Sequence, residues 1–238
     1  ARLLAFWALV TFAITFLIFF IPSMFSWLMP DPQGQHFFIR VARLWMHIWL
    51  RLAGCSFRVR GEEHFKKGST YIVTCNHNSL MDVPLSSPFI PGPNKTIAKA
   101  SFAKVPLFGF FYMKGSVLVD RKSETSRRQS FDKMKAALAR HIHMCIYPEG
   151  TRNRTGEPLK KFHDGAFRLA VETGHAVIPS VIFGTARVLP ATKAFWFWPG
   201  RIEIHFLPAI EVQGLSVEEL REKVFATMRD YYVAGPGK

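Results

Sequence analysis

Residues 71–82 read YIVTCNHNSLMD. Positions 71–75 are aromatic, β-branched or small, which is the composition of a buried strand. Asn76, His77 and Asn78 interrupt the apolar run, and a helical reading over 80–85 follows. A strand, a polar turn and a helix form the repeating unit of an α/β fold. The same event recurs twice. A strand over 116–119 ends at Asp120 and Arg121, and a strand over 144–147 ends at Pro148, Glu149, Gly150, Thr151 and Arg152. Further strands are predicted at 57–60, 96–98, 176–182 and 202–206, and further helices at 123–140, 165–173 and 216–232. The last helix opens on Ser216 and Glu219, a capping-box pair, and Gly150, Gly174 and Gly214 punctuate the joins. The expectation is an α/β fold with a mixed, largely parallel sheet flanked by helices. Ligands of such sheets sit at the strand ends, where His77, Asp120, Arg121, Glu149 and Arg152 cluster.

Upstream, residues 3–21 carry no charge, and Thr11 and Thr15 are their polar members. As a helix this stretch is about 28 Å long, close to the hydrocarbon thickness of a bilayer. A secretory signal fits poorly, because bulky residues follow Pro22 and no small-residue cleavage site appears. After the break at Pro30, Asp31 and Pro32, a second helix is predicted over 36–53. His36, Arg40, Arg43, His47 and Arg51 are spaced 4, 3, 4 and 4 apart, so at about 100° per residue they form one narrow stripe. Trp45 and Trp49 belong to its apolar side. Such a helix suits a membrane interface or a protein core with the arginines in water. Together the two segments predict a hydrophobic two-helix membrane hairpin. Residues 1–55 are therefore read as the membrane-anchoring segment and 56–238 as the α/β domain. If the first helix spans the bilayer, the basic residues after it (Arg40, Arg43, Arg51, Arg58 and Arg60) place the domain on the cytoplasmic face, and a re-entrant hairpin, which keeps everything on one side, fits the sequence equally. The chain begins at Ala1, and a short basic piece is expected before it.

The 238 residues are 49% hydrophobic, which excludes a disordered chain. Three cysteines (Cys55, Cys75 and Cys145) are too few for a disulfide framework and fit a reducing compartment. Lys and Arg number 31 against 17 acids, a net charge of +14, so a polyanionic partner is expected. Fifteen of those bases lie between Lys95 and Lys161, opposed by five acids. Many belong to the solvated face of the 123–140 helix. Arg121 and Arg152, beside Asp120 and Glu149, are instead read as guanidinium groups held for phosphate. Nucleic acid is not the expected partner, since no DNA- or RNA-binding motif appears.

His77 and Asp82 lie about 140° apart if both are helical. They meet if His77 is in the turn and Asp82 in the first helical turn. Asp82 would then set the tautomer of a histidine base. Ser79 and Asp82 equally form a capping box. The base could serve a Cys75 nucleophile, a metal site built from His77, Asp82, Asp120 and Glu149, or a substrate hydroxyl. No Gly-x-Ser-x-Gly elbow exists in the chain.

Asn76-His77 with Asp82, Gly115 through Asp120-Arg121, Tyr147-Pro148-Glu149-Gly150-Thr151-Arg152, and Val177-Ile178-Pro179 have the order and spacing of the four motifs of the glycerolipid acyltransferases. The chain resembles the bacterial lysophosphatidate acyltransferases of that family over roughly half its length. Residues 117–119 read Val-Leu-Val where the family often has Ile-Phe-Ile, a change within the class. The resemblance implies transfer of a fatty acyl group from acyl-CoA or acyl-carrier protein to the sn-2 hydroxyl of lysophosphatidate. It implies His77 and Asp82 as catalytic residues. Arg152, Lys99 and Arg121 are implied as phosphate ligands, and Asn76, Gly115, Glu149, Gly150 and Thr151 as substrate-site elements. No cofactor and no metal are expected. The implied location is the inner membrane, with the lipid bilayer as a partner. Rival readings are transfer to another lysolipid, such as a lyso-amino-acid lipid, and a non-catalytic lipid-binding protein.

Overall fold

A computed structural model describes residues 1–120 and 122–235. Arg121, read above as a phosphate ligand, therefore lies outside the described residues. The chain begins with two helices, α1 (Arg2–Met24) and α2 (Gln33–Leu52). The alternating part follows: β1 (Ser56–Arg60), β2 (Ile72–Cys75), α3 (Asp82–Phe89), β3 (Asn94–Lys99), α4 (Phe108–Gly115) and β4 (Ser116–Val119). It continues with α5 (Glu124–Ala139), β5 (His143–Ile146), α6 (Gly165–Thr173), β6 (Val177–Phe183), α7 (Thr185–Val188), β7 (Arg201–Phe206) and α8 (Val217–Ala234).

The strands form one seven-stranded sheet in the order β1-β7-β6-β2-β5-β3-β4. Every pairing is parallel except β6 with β7, so the sheet is mixed and largely parallel. β2 is central and buried throughout. The chain leaves β2 toward β3 on one side and leaves β5 toward β6 on the other. The connections therefore diverge above β2 and β5, and a crevice opens at their carboxyl ends.

Helices cover both faces. On one, α5, α6 and α8 bury Met134, Phe167 and Val224 against Ile72, Met144 and Val181. On the other, α1, α2 and α3 pack together through Phe16, Trp45, Trp49 and Leu85. The Ser216–Glu219 capping box forms as the sequence predicts.

The apolar stripe of α2 is buried against protein: Phe38, Trp45, Met46 and Trp49 are all inside, while Arg40 and Arg51 are exposed. Small residues on α1 permit close approach. Trp49 Nε1 donates to the Ala8 carbonyl at 3.1 Å, and Trp45 Nε1 donates to Thr15 Oγ1 at 2.9 Å. The opposite face of α1 is exposed and apolar, with Leu9, Ile14, Ile18 and Ile21 outward. Residues Arg2–Leu28 contain an 18-residue window of mean hydropathy 2.6 and, among the described residues, make the one helical stretch long and apolar enough to cross a membrane. The α1–α2 turn is pinned to the sheet domain. Asp31 accepts from Lys114 Nζ at 3.0 Å and from Lys95 Nζ at 3.3 Å, and Gln35 Nε2 donates to the Asn94 carbonyl at 2.6 Å.

Candidate active site

His77 leaves the central strand at its carboxyl end, and Asp82 is the first residue of α3. This is the turn-and-helix placement that lets the two meet. His77 Nδ1 lies 2.9 Å from Asp82 Oδ2. A carboxylate only accepts, so Nδ1 carries the hydrogen, and in the neutral ring the lone pair is then on Nε2. The same Oδ2 accepts the backbone N–H of Asn78 at 2.6 Å and of Ser79 at 2.7 Å. Asp82 therefore holds the turn and orients the ring at once, and the two sequence readings of it coexist. Its other oxygen, Oδ1, is buried without a hydrogen-bond partner. The Asp82 side chain is 0% exposed and that of His77 17%, so the ring has one open edge.

The loop after β5 supports His77 from the other side. Glu149 Oε1 accepts the backbone N–H of His77 at 2.7 Å, and Oε2 accepts that of Lys160 at 3.1 Å. The expectation that Glu149 holds the Arg152 guanidinium is thus corrected: its oxygens are taken by two backbone donors, and no Arg152 ion pair is found among the described residues. Arg152 is half-buried. The neighbouring Asn153 N–H donates to the His77 carbonyl at 2.6 Å, which keeps this stretch of chain beside the His77 turn. Thr151 Oγ1 accepts from Lys160 Nζ at 2.6 Å. Asn76 is structural, with its amide exchanging two hydrogen bonds with the backbone of Ile182 at 3.0 and 2.6 Å.

Burial raises the Glu149 carboxyl to about 6. A folded-state value above the ordinary 4.5 means that the folded protein holds this proton more tightly than the unfolded chain. The contribution of Glu149 to stability is then greatest at low pH and declines as pH rises through about 6, by on the order of 2 kcal/mol. Glu149→Gln has no proton to lose. Denaturation of both proteins in detergent, at about pH 4.5 and about pH 7.5, should show wild type losing ground to the variant at the higher pH. A constant difference would mean that the carboxylate is not buried as charge.

Cys75 points into the core. Its sulfur lies 3.9 Å from that of Cys145, and this contact together with burial pushes its thiol well up. It is not poised as a thiolate nucleophile. Tyr147 is a residue whose role the sequence does not reveal. Its ring centroid lies 4.6 Å from that of His77 at a 40° tilt, and its hydroxyl is hydrogen-bonded to Ser86 Oγ at 2.6 Å. An aromatic face packed against an imidazole limits rotation of the His77 ring.

The open edge of His77 meets a cavity of about 530 Å3, within the range of small-molecule sites. Its walls are mostly apolar and come from α1 (Phe12), α2 (Trp45) and α4 (Phe108, Phe111). Lys99, Gly115 and Gly150 also border it. A Cβ at Gly115 would meet the Phe38 ring at 3.0 Å, so glycine there keeps space where α4 joins β4. The site thus joins the His77 imidazole, held at Nδ1, to an apolar chamber and an arginine-bearing loop. Such a set can deprotonate a hydroxyl beside a long apolar group.

A family model described as Acyltransferase matches residues 56–183. The 1-acyl-sn-glycerol-3-phosphate acyltransferase alpha of Ovis aries is 27% identical over 184 residues, covering 76% of this chain and 63% of that protein. The 1-acyl-sn-glycerol-3-phosphate acyltransferase of Borreliella burgdorferi is 30% identical over 193 residues, covering 80% of this chain and 76% of that one. The crystal structure of the 1-acyl-sn-glycerophosphate (LPA) acyltransferase, PlsC, from Thermotoga maritima matches with a TM-score of 0.81 at 24% identity, over 98% of this chain and 94% of that chain. At that identity the likeness is one of fold. This chain spans 63% of the length of the sheep relative. The matched region runs from β1 to the end of β6 and includes both loops that converge on His77, and the chain belongs to the acyltransferase family.

Proposed function

We propose that the protein transfers a fatty acyl group from the thioester of acyl-CoA or acyl-carrier protein to the sn-2 hydroxyl of lysophosphatidate, giving phosphatidate. The observation that carries this reading is the His77 ring, tied to buried Asp82 at 2.9 Å and bordering an apolar cavity. His77 Nε2 takes the hydroxyl proton as the oxygen attacks the thioester carbonyl carbon. The carbon–sulfur bond breaks, and protonated His77 returns the proton to the departing thiolate. A thioester is already activated, so no acyl-enzyme is needed. Asp82 stabilises the imidazolium that forms between the two proton transfers. The acyl chain occupies the chamber between Phe12, Trp45 and Phe111.

Arg152 is assigned the acceptor phosphate, with Lys99 at the cavity rim as a second cation. Glu149, Gly150 and Thr151 shape the loop that presents Arg152, and Asn76 anchors the turn that presents His77. Arg121 is proposed for the same role from the resemblance alone.

The protein is proposed to be membrane-bound through α1, with its outer apolar face in lipid. The inner face of α1 packs along α2, and α2 in turn packs on the sheet domain. That arrangement favours a hairpin embedded from one side over a helix standing clear of the domain. The net charge of +14 suits an anionic inner-membrane surface on the cytoplasmic side.

The test is acyl transfer by detergent-purified protein, with lysophosphatidate and a matched neutral lysolipid competing for one acyl-CoA donor. Lysophosphatidate should win, and Arg152→Ala should raise its KM roughly 10- to 100-fold, the worth of one charge-assisted contact. Preference for the neutral acceptor would move the protein to another lysolipid. An unchanged KM in the variant would remove Arg152 from the phosphate.

A further inference from the structure

We propose that the segment from Ala100 to Gly115 is a second membrane-inserted element. It enters an anionic bilayer beside α1, so that one wall of the apolar cavity is also the boundary with lipid. The inference rests on the membrane-bound reading above and adds to it a place of entry for acyl chains.

The segment consists of a 3-10 turn, Ala100–Lys104, a short tip and α4. Its side chains point two ways. Phe108, Phe111 and Tyr112 line the cavity. Val105, Leu107 and Phe110 point outward and are 44%, 45% and 56% exposed. Phe102 does both, lining the cavity while 42% exposed. So many large apolar groups exposed within nine positions is unusual for a surface that meets only water. The tip is also built to project. A Cβ at Gly109 would lie 2.2 Å from the Ala103 carbonyl oxygen, so α4 is pressed directly onto the 3-10 turn. Leu107 between them has φ 60° and ψ −55°, a positive-φ conformation that costs a non-glycine residue energy.

Position and charge name the occupant. The Phe108 and Phe111 rings lie 5.9 and 5.8 Å from that of Phe16 on α1, so the tip stands beside the helix whose outer face is apolar and exposed. From Val83 to Val119 there is no acidic residue and there are four lysines. Lys95 and Lys114 are paired with Asp31. Lys99 and Lys104 are exposed at the root of the tip, and no ion pair of theirs is found among the described residues. An apolar tip with two exposed lysines at its root, beside an apolar helix, matches the interface of a bilayer containing anionic lipid.

The native cysteines are all buried, so a thiol-directed, environment-sensitive dye reports on one introduced cysteine. Single variants Val105→Cys, Phe110→Cys, Ile18→Cys on α1, and Ser69→Cys at the opposite end of β2 are labelled in the full chain. They are then mixed with vesicles of phosphatidylcholine and phosphatidylglycerol carrying a lipid-borne quencher. Labels at 105, 110 and 18 should shift to the blue and be quenched, and the label at 69 should not. Quenching at 18 with water-like signals at 105 and 110 overturns the proposal and leaves α1 anchoring intact. Failure at all positions overturns both. Shielding of 105 and 110 that depends on protein concentration without lipid would assign the tip to a second copy instead. As a second readout, Val105→Asp with Phe110→Asp should lower transfer to vesicle-borne acceptor roughly 10-fold. Transfer between short-chain, monomeric substrates should be retained. An unchanged vesicle rate would also overturn the proposal.

Discussion

Replacing His77 by Ala is expected to lower acyl transfer by about 10²- to 10⁴-fold, the range that a positioned general base supplies. The fold should survive. Asp82 Oδ2 keeps the N–H groups of Asn78 and Ser79 as donors, and the lost imidazole faces the cavity rather than the core. The loss should fall on kcat, with acceptor KM little changed, because phosphate binding is assigned to Arg152 and the acyl chain to the apolar walls. Turnover and the denaturation midpoint of the same preparation decide the matter. Near-normal turnover would leave a lipid-binding protein without His77 chemistry. A collapsed midpoint would make the variant uninformative about catalysis, and His77→Gln, of closer size, would then carry the comparison.

The sheet was readable because its strands are short β-branched runs ending in polar turns. All seven were anticipated within two residues at either end, and β2 was read with its turn and helix. α4 was missed. Its sequence, FGFFYMKG, has a glycine near its start, aromatic rings at successive positions and no helical periodicity. What makes it a helix is tertiary: Phe111 packs on Phe38 at 4.6 Å and on Trp45 at 5.3 Å. The α2 stripe was readable as amphipathic, but which partner took its apolar side was not, since lipid and protein select the same residues.

Within the site, the five-residue spacing of His77 and Asp82 allowed a pairing across a turn but equally allowed a helix cap, and it was the resemblance of the four motifs that implied the pair. The role of Glu149 was not legible, because its partners are backbone N–H groups and Lys160 contributes no side-chain signal to that contact. Nor could the sequence show that Phe12 of the first helix and Gly115 border one chamber. That is a product of α1 and α2 packing together beside the sheet.

Asp82 should be the residue whose loss costs most in both fold and function. Asp82→Ala leaves three donors, the N–H groups of Asn78 and Ser79 and the Nδ1–H of His77, facing a space with no acceptor. Each buried orphan costs about 1–3 kcal/mol, and the sum, relaxed by local movement, should approach 3–5 kcal/mol. Turnover should fall by about 10³-fold or more, since the ring loses both its tautomer and its orientation. Asp82→Asn separates the two roles. Its amide oxygen can take the place of Oδ2 and accept all three donors. Its NH2 group then replaces Oδ1, which has no partner in the native protein. The backbone donors of Asn78 and Ser79 enforce this orientation, because the reverse would set two N–H groups against an NH2. The Asn variant should therefore keep part of the stability that Ala loses, since its oxygen still serves the turn while its NH2 lies where Oδ1 had no partner. It should still turn over about 10²-fold more slowly than wild type, for want of a negative charge beside the imidazolium. Denaturation and single-turnover transfer on the three proteins check the order. If Ala unfolds at the wild-type midpoint, Asp82 does not organise the turn. If Asn reacts at the wild-type rate, the carboxylate charge has no part in the proton transfer.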